Sequence, residues 1–150
     1  MLRVESNLSQ KMQGRLALTS NLRLIKMETQ EVKHVEKVWG KEVWMANTNK
    51  YCGKKLILEK GKRVSLHKHK NKDETFYIDE GKVLMEVGSE KEILEKGDCV
   101  RIAPETLHRF SGLTDAVIIE ISTHHEDDDS YREEGELSGD VPEEIMEEYE

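Results

Sequence analysis

The chain of 150 residues is 36% charged and 36% hydrophobic with a formal charge of −8, a composition that fits one small domain with polar extensions. The charge is segregated: residues 1–26 sum to +4, residues 27–125 to zero and residues 126–150 to −12, so the neutral body offers no electrostatic footprint for nucleic acid. No apolar run approaches the roughly 20 residues that span a bilayer, and a cytoplasmic protein with neither nucleic-acid nor membrane partners is expected.

Residues 1–26 are rich in Arg, Ser and Leu and nearly free of acids. They resemble a transit peptide in composition, but a disordered extension over 1–30, or a start at Met27, is the simpler reading. From residue 38 short apolar runs alternate with turn signals. KEVWMAN breaks at NTNKYCG, and KKLILEKG leads into RVSLHKH. ETFYIDEGK turns at Gly81, VLMEVGSEKEIL is a hairpin through Gly88-Ser89, and EKGDCVRIAP stops at Pro104. HRFSGL and AVIIEIST complete the set. Short strands at this spacing predict an all-β sandwich or barrel over 38–123. Residues 124–150 read as a solvated acidic tail, with a short helix after Pro142. Cys52 and Cys99 make no metal-binding spacing; free thiols are expected, with one disulfide as the alternative.

The chemistry concentrates in one stretch. In a strand, residues i and i+2 share a face, so His67 and His69 project together with Ser65, while Val64, Leu66 and Lys68 face the other way. The loop KNKD then reverses the chain, and Glu74 opens the next strand. His108 follows a Gly-Asp turn, a strand and a Pro-bearing loop, and completes the set if its strand neighbours residues 64–69. Histidine with carboxylate suits one divalent transition metal, Zn, Mn, Fe or Ni, rather than Ca or Mg. Three His and one Glu leave positions open for substrate.

The spacing of these residues resembles the first motif of the cupins, G-x5-H-x-H-x3,4-E-x6-G, filled here by Gly61, His67, His69, Glu74 and Gly81. The second motif, G-x5-P-x-G-x2-H-x3-N, is partial. Gly97, Pro104 and His108 are present, Thr106 stands for the inner glycine, and Gly112 for the asparagine. The resemblance implies a single cupin jelly-roll β-barrel with a metal held in its mouth by His67, His69, Glu74 and His108. Two flanking stretches resemble small sugar-isomerase cupins, of the type II mannose-6-phosphate isomerase-like and D-lyxose ketol-isomerase-like kind: Trp39, Gly40, Glu42 and Trp44 before the barrel, and Ser122, Thr123, His125, Asp127, Asp128 and Arg132 after it.

That resemblance implies aldose–ketose isomerisation of a sugar or sugar phosphate, in which a base moves a proton between adjacent carbons through an enediol and cations stabilise the developing oxyanion. Lys55, Lys72 and Arg109 are the candidate cations, although strict alternation turns Arg109 away from the face of His108. The base is not identified, because the facing of Glu120 depends on which sheet face is inside. His124, His125 and the following acids are either a second metal site or a solvated strand end. Trp39 and Trp44 either stack on sugar or pack on the rim. An iron-dependent dioxygenase and a non-catalytic sugar- or metal-binding module are the alternative functions. Exposed sheet edges make a homodimer plausible. His69→Ala is predicted to abolish metal retention, read by elemental analysis, while circular dichroism shows the fold intact.

Overall fold

The computed structural model describes residues 24–150, so the reading of residues 1–23 as an extension or transit peptide lies outside the described residues. Residues Glu31–Glu150 form one unit. Its strands run in chain order as β1 (Lys33–Lys37), β2 (Gly40–Asn47), β3 (Cys52–Leu58), β4 (Lys62–Arg63), β5 (His67–Lys68), β6 (Glu74–Glu80) and β7 (Lys82–Val87). Then come β8 (Glu90–Glu95), β9 (Cys99–Ile102), β10 (His108–Gly112), β11 (Ala116–Ser122), β12 (Tyr131–Arg132), β13 (Gly139–Asp140) and a terminal helix α1 (Glu143–Tyr149). One antiparallel sheet has the order β1-β2-β3-β11-β6-β9. In the other, β10 pairs on one side with β7, which pairs β8, and on the other side with β4 and β5; β13 and β12 flank these in turn. The all-β jelly-roll expectation holds.

Strand alternation decides what lies between the sheets. Along β3, Cys52, Lys54, Leu56 and Leu58 are buried, while Gly53, Lys55 and Ile57 are only half-buried. Along β11, Ala116, Ile118, Glu120 and Ser122 are buried. The apolar members join Trp39, Val64, Phe76, Ile78, Val83, Met85, Ile102 and Phe110 in one core. Phe110 meets Trp39 and Phe76 edge-on, at centroid distances of 5.9 and 5.6 Å, a favoured aromatic geometry. Val64 belongs to this core although alternation sends it away from His67. Residues 64–66 between β4 and β5 are not extended strand, and the break resets the facing.

The chain beyond residue 123 is more than a solvated tail. Tyr131 and Arg132 pair with Lys68 and His67, and Gly139 and Asp140 pair with Arg63 and Lys62. The acids are answered locally: Asp140 by Lys62 at 2.5 Å, and Glu136 by the buried Arg109. The short helix after Pro142 is present. Cys52 is buried, Cys99 is exposed, and both are free thiols.

Gly81, the closing glycine of the first motif, has φ +81°, and a Cβ there would lie 2.2 Å from the Asp115 carbonyl oxygen. Gly88 has φ +58° but open space around it. Gly88→Ala is therefore predicted to cost about 1 kcal/mol, the strain of a left-handed L-residue alone. Gly81→Ala should cost clearly more, because backbone must also shift, as read by chemical denaturation.

Candidate metal centre and active site

The three histidines come from strand ends brought together by pairing. His67 on β5 lies directly opposite His108 on β10, and His69 follows one residue beyond β5. Glu74 opens β6 in the facing sheet. Each imidazole is fixed from behind by a backbone carbonyl: His67 Nδ1 to Ser65 O at 2.7 Å, His69 Nδ1 to Asp129 O at 2.6 Å, and His108 Nδ1 to Thr106 O at 2.9 Å. A carbonyl only accepts, so the proton of each ring sits on Nδ1 and the Nε2 lone pair is left facing inward. This is the backing arrangement of metal-ligating histidines. His67, His69 and His108 present ligand atoms within 4.8 Å of one another and form a triad that can hold a metal ion.

Glu74 sits against this triad. Its Oε2 lies 3.5 Å from His69 Nε2 and 3.0 Å from His108 Nε2. Both Glu74 Oε2 and His108 Nε2 are buried without a well-formed hydrogen bond, a costly state that calls for an explanation. A cation between them supplies one. Ion–ligand bonds of about 2.0–2.2 Å bring neighbouring donor atoms to about this separation, so the residues present fit a divalent transition metal. Burial holds the His67 ring neutral, with a pKa lowered to about 3, the neighbouring His108 acting in the same direction. Burial likewise lowers His69. Burial works against ionised Glu74, but the Lys72 ammonium opposes it and the carboxyl is held below its ordinary value.

The centre lies at one side of a cavity of about 390 Å³ lined by His67, His69 and Glu74 together with Glu42, Lys54, Lys72, Glu120, His125, Asp127 and Arg132. Lys72 reaches in from the loop joining His69 to Glu74. Its Nζ lies 2.7 Å from Glu120, 3.4 Å from Glu74 Oε1 and 3.1 Å from His125 Nδ1. Burial alone would discharge Lys72, but Glu120 and Glu74 outweigh it and its pKa stands above the ordinary value. Ser122 Oγ also donates to Glu120, at 3.1 Å. Glu120 faces inward, level with Lys54 on one neighbouring strand and Phe76 on the other.

Of the three candidate cations, only Lys72 faces the cavity. Lys55 is corrected to its neighbour: Lys54 is 1% exposed and lines the cavity, while alternation turns Lys55 to the outer sheet face. Lys54 Nζ lies 3.9 Å above the Trp44 ring and 3.5 Å from Glu42. Burial, only partly offset by Glu120, lowers its pKa. Arg109 is corrected too. It turns to the far face of β10, where Glu136 and Glu86 answer it.

The flanking stretches converge on the same cavity. Trp39 and Glu42 enter from one side, and His125, Asp127 and Arg132 from the other. Asn47 on β2 clasps the His125 backbone in both directions, at 2.9 and 3.1 Å. His125 pairs with Asp127 at 2.9 Å and packs edge-on against Trp44. Among the described residues, His124 and His125 join no metal-binding cluster.

The family described as cupin domain matches residues 55–122. An uncharacterized protein of Methanocaldococcus jannaschii is 32% identical over 98 residues, covering 61% of this chain and 78% of that one. A D-lyxose/D-mannose isomerase from Thermosediminibacter oceani is 33% identical over 110 residues, covering 55% of this chain and 61% of the isomerase. Among solved structures, an RmlC-like cupin from Shewanella frigidimarina shares the fold at TM-score 0.60 and 19% identity, over 69% of this chain and 92% of that one. The nucleoside dehydratase Pac13 shares it at TM-score 0.62 and 12% identity, over 73% and 92%. Among the described residues no helix is long and apolar enough to cross a membrane.

The ligand loop is anchored by Asp129. Its buried carboxylate accepts the backbone N–H groups of Lys70, Asn71 and Lys72 at 2.9, 3.2 and 3.1 Å. Burial opposes its charge, but these three donors win and hold its pKa below the usual carboxylate value. A depressed carboxyl pKa contributes stability that is present above the unfolded value of about 3.9 and lost as pH falls through the folded value. Asp129→Asn should therefore be less stable than wild type at pH 7, by about 2 kcal/mol. The gap should close below about pH 4, as read from urea midpoints across pH.

Proposed function

The chain belongs to the cupin family, and from that premise we propose that it is a metal-dependent aldose–ketose isomerase acting on a sugar or sugar phosphate of the lyxose or mannose type. The observation that carries the reading is Glu120. It is a carboxyl group inside the cavity, outside the histidine triad, held by Lys72 at 2.7 Å and Ser122 at 3.1 Å. The likeness to a D-lyxose/D-mannose isomerase over 55% of this chain supports the reaction class.

In this reading His67, His69 and His108, through Nε2, and Glu74 hold the metal. Bound there, a divalent ion would supply a Lewis acid for the sugar carbonyl. Glu120 takes the proton from the carbon next to the carbonyl and returns it to the former carbonyl carbon, and the hydroxyl proton passes to the neighbouring oxygen. Lys72 has two tasks. Its ammonium pairs with Glu120 and holds it in place, and it faces the oxygen on which negative charge develops. Lys54, Glu42 and His125 line the rest of the cavity and offer a donor, an acceptor and a ring edge to sugar hydroxyls. The buried apolar layer beneath, Leu56, Ile118 and Phe76, excludes water from the reacting carbons.

The test is solvent deuterium incorporation into a panel of pentoses, hexoses and their phosphates by the metal-loaded protein. Exchange at the carbon adjacent to the carbonyl is the expected result; loss of water from the sugar, or iron-dependent oxygen uptake, would instead place the chain among other cupin chemistries. Glu120→Gln is predicted to cut turnover by at least about 10²-fold, the usual worth of a positioned general base. Metal content and the thermal midpoint of that variant should stay near wild type.

A further inference from the structure

The cavity carries a charge surplus once its metal is counted. Its lining includes four carboxylates, Glu42, Glu74, Glu120 and Asp127, and four cations, Lys37, Lys54, Lys72 and Arg132. Imidazoles that ligate a metal are neutral, so the side chains balance and a divalent ion leaves the loaded site at +2. A neutral sugar does nothing for that surplus; an anionic one answers it.

The position of the answering group is also marked. Lys37 and Lys54 each lie within 4 Å of Glu42, Lys72 meets Glu74 and Glu120, and Asp127 meets His125. Among the described residues Arg132 alone of the cavity cations has no carboxylate within salt-bridge distance. It stands directly opposite His67 in the β12–β5 pair, and opposed residues of an antiparallel pair project to the same face. Arg132, itself exposed, therefore stands at the cavity mouth beside His67. Its guanidinium presents a planar fork of donors suited to phosphate and carboxylate.

We propose that the substrate is an anionic sugar, a sugar phosphate or a sugar acid, whose negative group is bound by Arg132 at the cavity mouth while the sugar carbons face the histidine triad. This rests on the isomerase reading above and narrows it. The wall formed by Lys54 and Glu42 then serves the hydroxyls, and the segment that carries Arg132, which lies beyond the residues matched by the family, sets the charge of the substrate.

The experiment measures binding, not turnover. The metal-loaded full chain is titrated calorimetrically with inorganic phosphate, mannose 6-phosphate, mannuronate and mannose, and the pentose equivalents are run beside them. The expected result is that a phosphorylated or acidic sugar binds at least about tenfold tighter than its neutral parent, the worth of a charge-assisted pair. Whichever anion binds tighter identifies the source of the charge. Arg132→Met should remove that preference without weakening the neutral sugar, and Arg132→Lys should keep part of it. Equal affinity for neutral and anionic sugars overturns the proposal, as does an unchanged preference in Arg132→Met, or no binding of any anion at millimolar concentration. Anionic sugars that bind through Arg132 yet show no deuterium exchange would leave this site standing and sink the isomerase instead.

Discussion

The structure turns on one electrostatic arrangement: a buried carboxylate, Glu74, faces two imidazole nitrogens at 3.0 and 3.5 Å, and backbone carbonyls hold the protons of those rings on the opposite nitrogens. Lone pairs converge on a common space, which is unfavourable until a cation enters it. The rest of the polar interior follows from that choice. Lys72 offsets the charge of Glu74 on its other oxygen, Glu120 offsets Lys72, and Asp129 fixes the loop that carries Lys72 between the ligands. Each buried ion costs several kcal/mol of hydration unless it is paired and hydrogen-bonded. A chain this small that buries Lys54, Lys72, Glu74, Arg109 and Glu120 gains little stability from doing so. Clusters of this kind in a cavity mark chemistry more often than architecture.

The same strands build both the core and the site. On β3 the inward series passes from Leu58 and Leu56 to Lys54 and Cys52; on β11 it passes from Ala116 and Ile118 to Glu120 and Ser122; on β6 it passes from Ile78 and Phe76 to Glu74. The change from apolar to polar falls at the same level in β3 and β11 and one inward position later in β6, where Phe76 stands level with Glu120 and Lys54, so the space between the sheets has a dry floor and a charged mouth. Phe76 lies at the boundary, against Phe110 on one side and the His108 ring on the other. Loosening the floor would move the ligands, because they share backbone with it. The site is thus held by strands rather than by loops alone, with the loop at 70–72 as the exception and Asp129 as its compensation.

The grouping of His67, His69 and Glu74 was legible because its spacing is unusual: two histidines sharing a strand face, then a carboxylate after a reversal, have few other uses. The facing of the flanking strands was not legible. Leu56, Ile57 and Leu58 are all apolar, so the pattern does not say which alternate set is inside, and a slip of one residue exchanges Lys55 for Lys54. In AVIIEIST the isoleucines mislead in the same way. Ile119 and Ile121 share a face, and Ile121 is 61% exposed, whereas Glu120 points in. Val64 failed for a different reason. A short break in the strand resets the alternation, and nothing in RVSLHKH announces it.

The acidic end of the chain shows how far composition misleads when partners are distant in sequence. Thirteen acids against one arginine read as a solvated tail, yet Glu136 and Asp140 have partners at Arg109 and Lys62, and Asp129 has three backbone donors. These pairings span from 27 to 78 residues, beyond the reach of any local pattern. Within that segment the single basic residue, Arg132, is exposed like Glu133 and Glu134 and also lines the cavity mouth. The segment thus brings one acid, Asp127, and one base, Arg132, to the cavity. The family match ends at residue 122, but one wall of the cavity continues through Ser138. The cavity beside the histidine triad is thus completed by residues outside the family match.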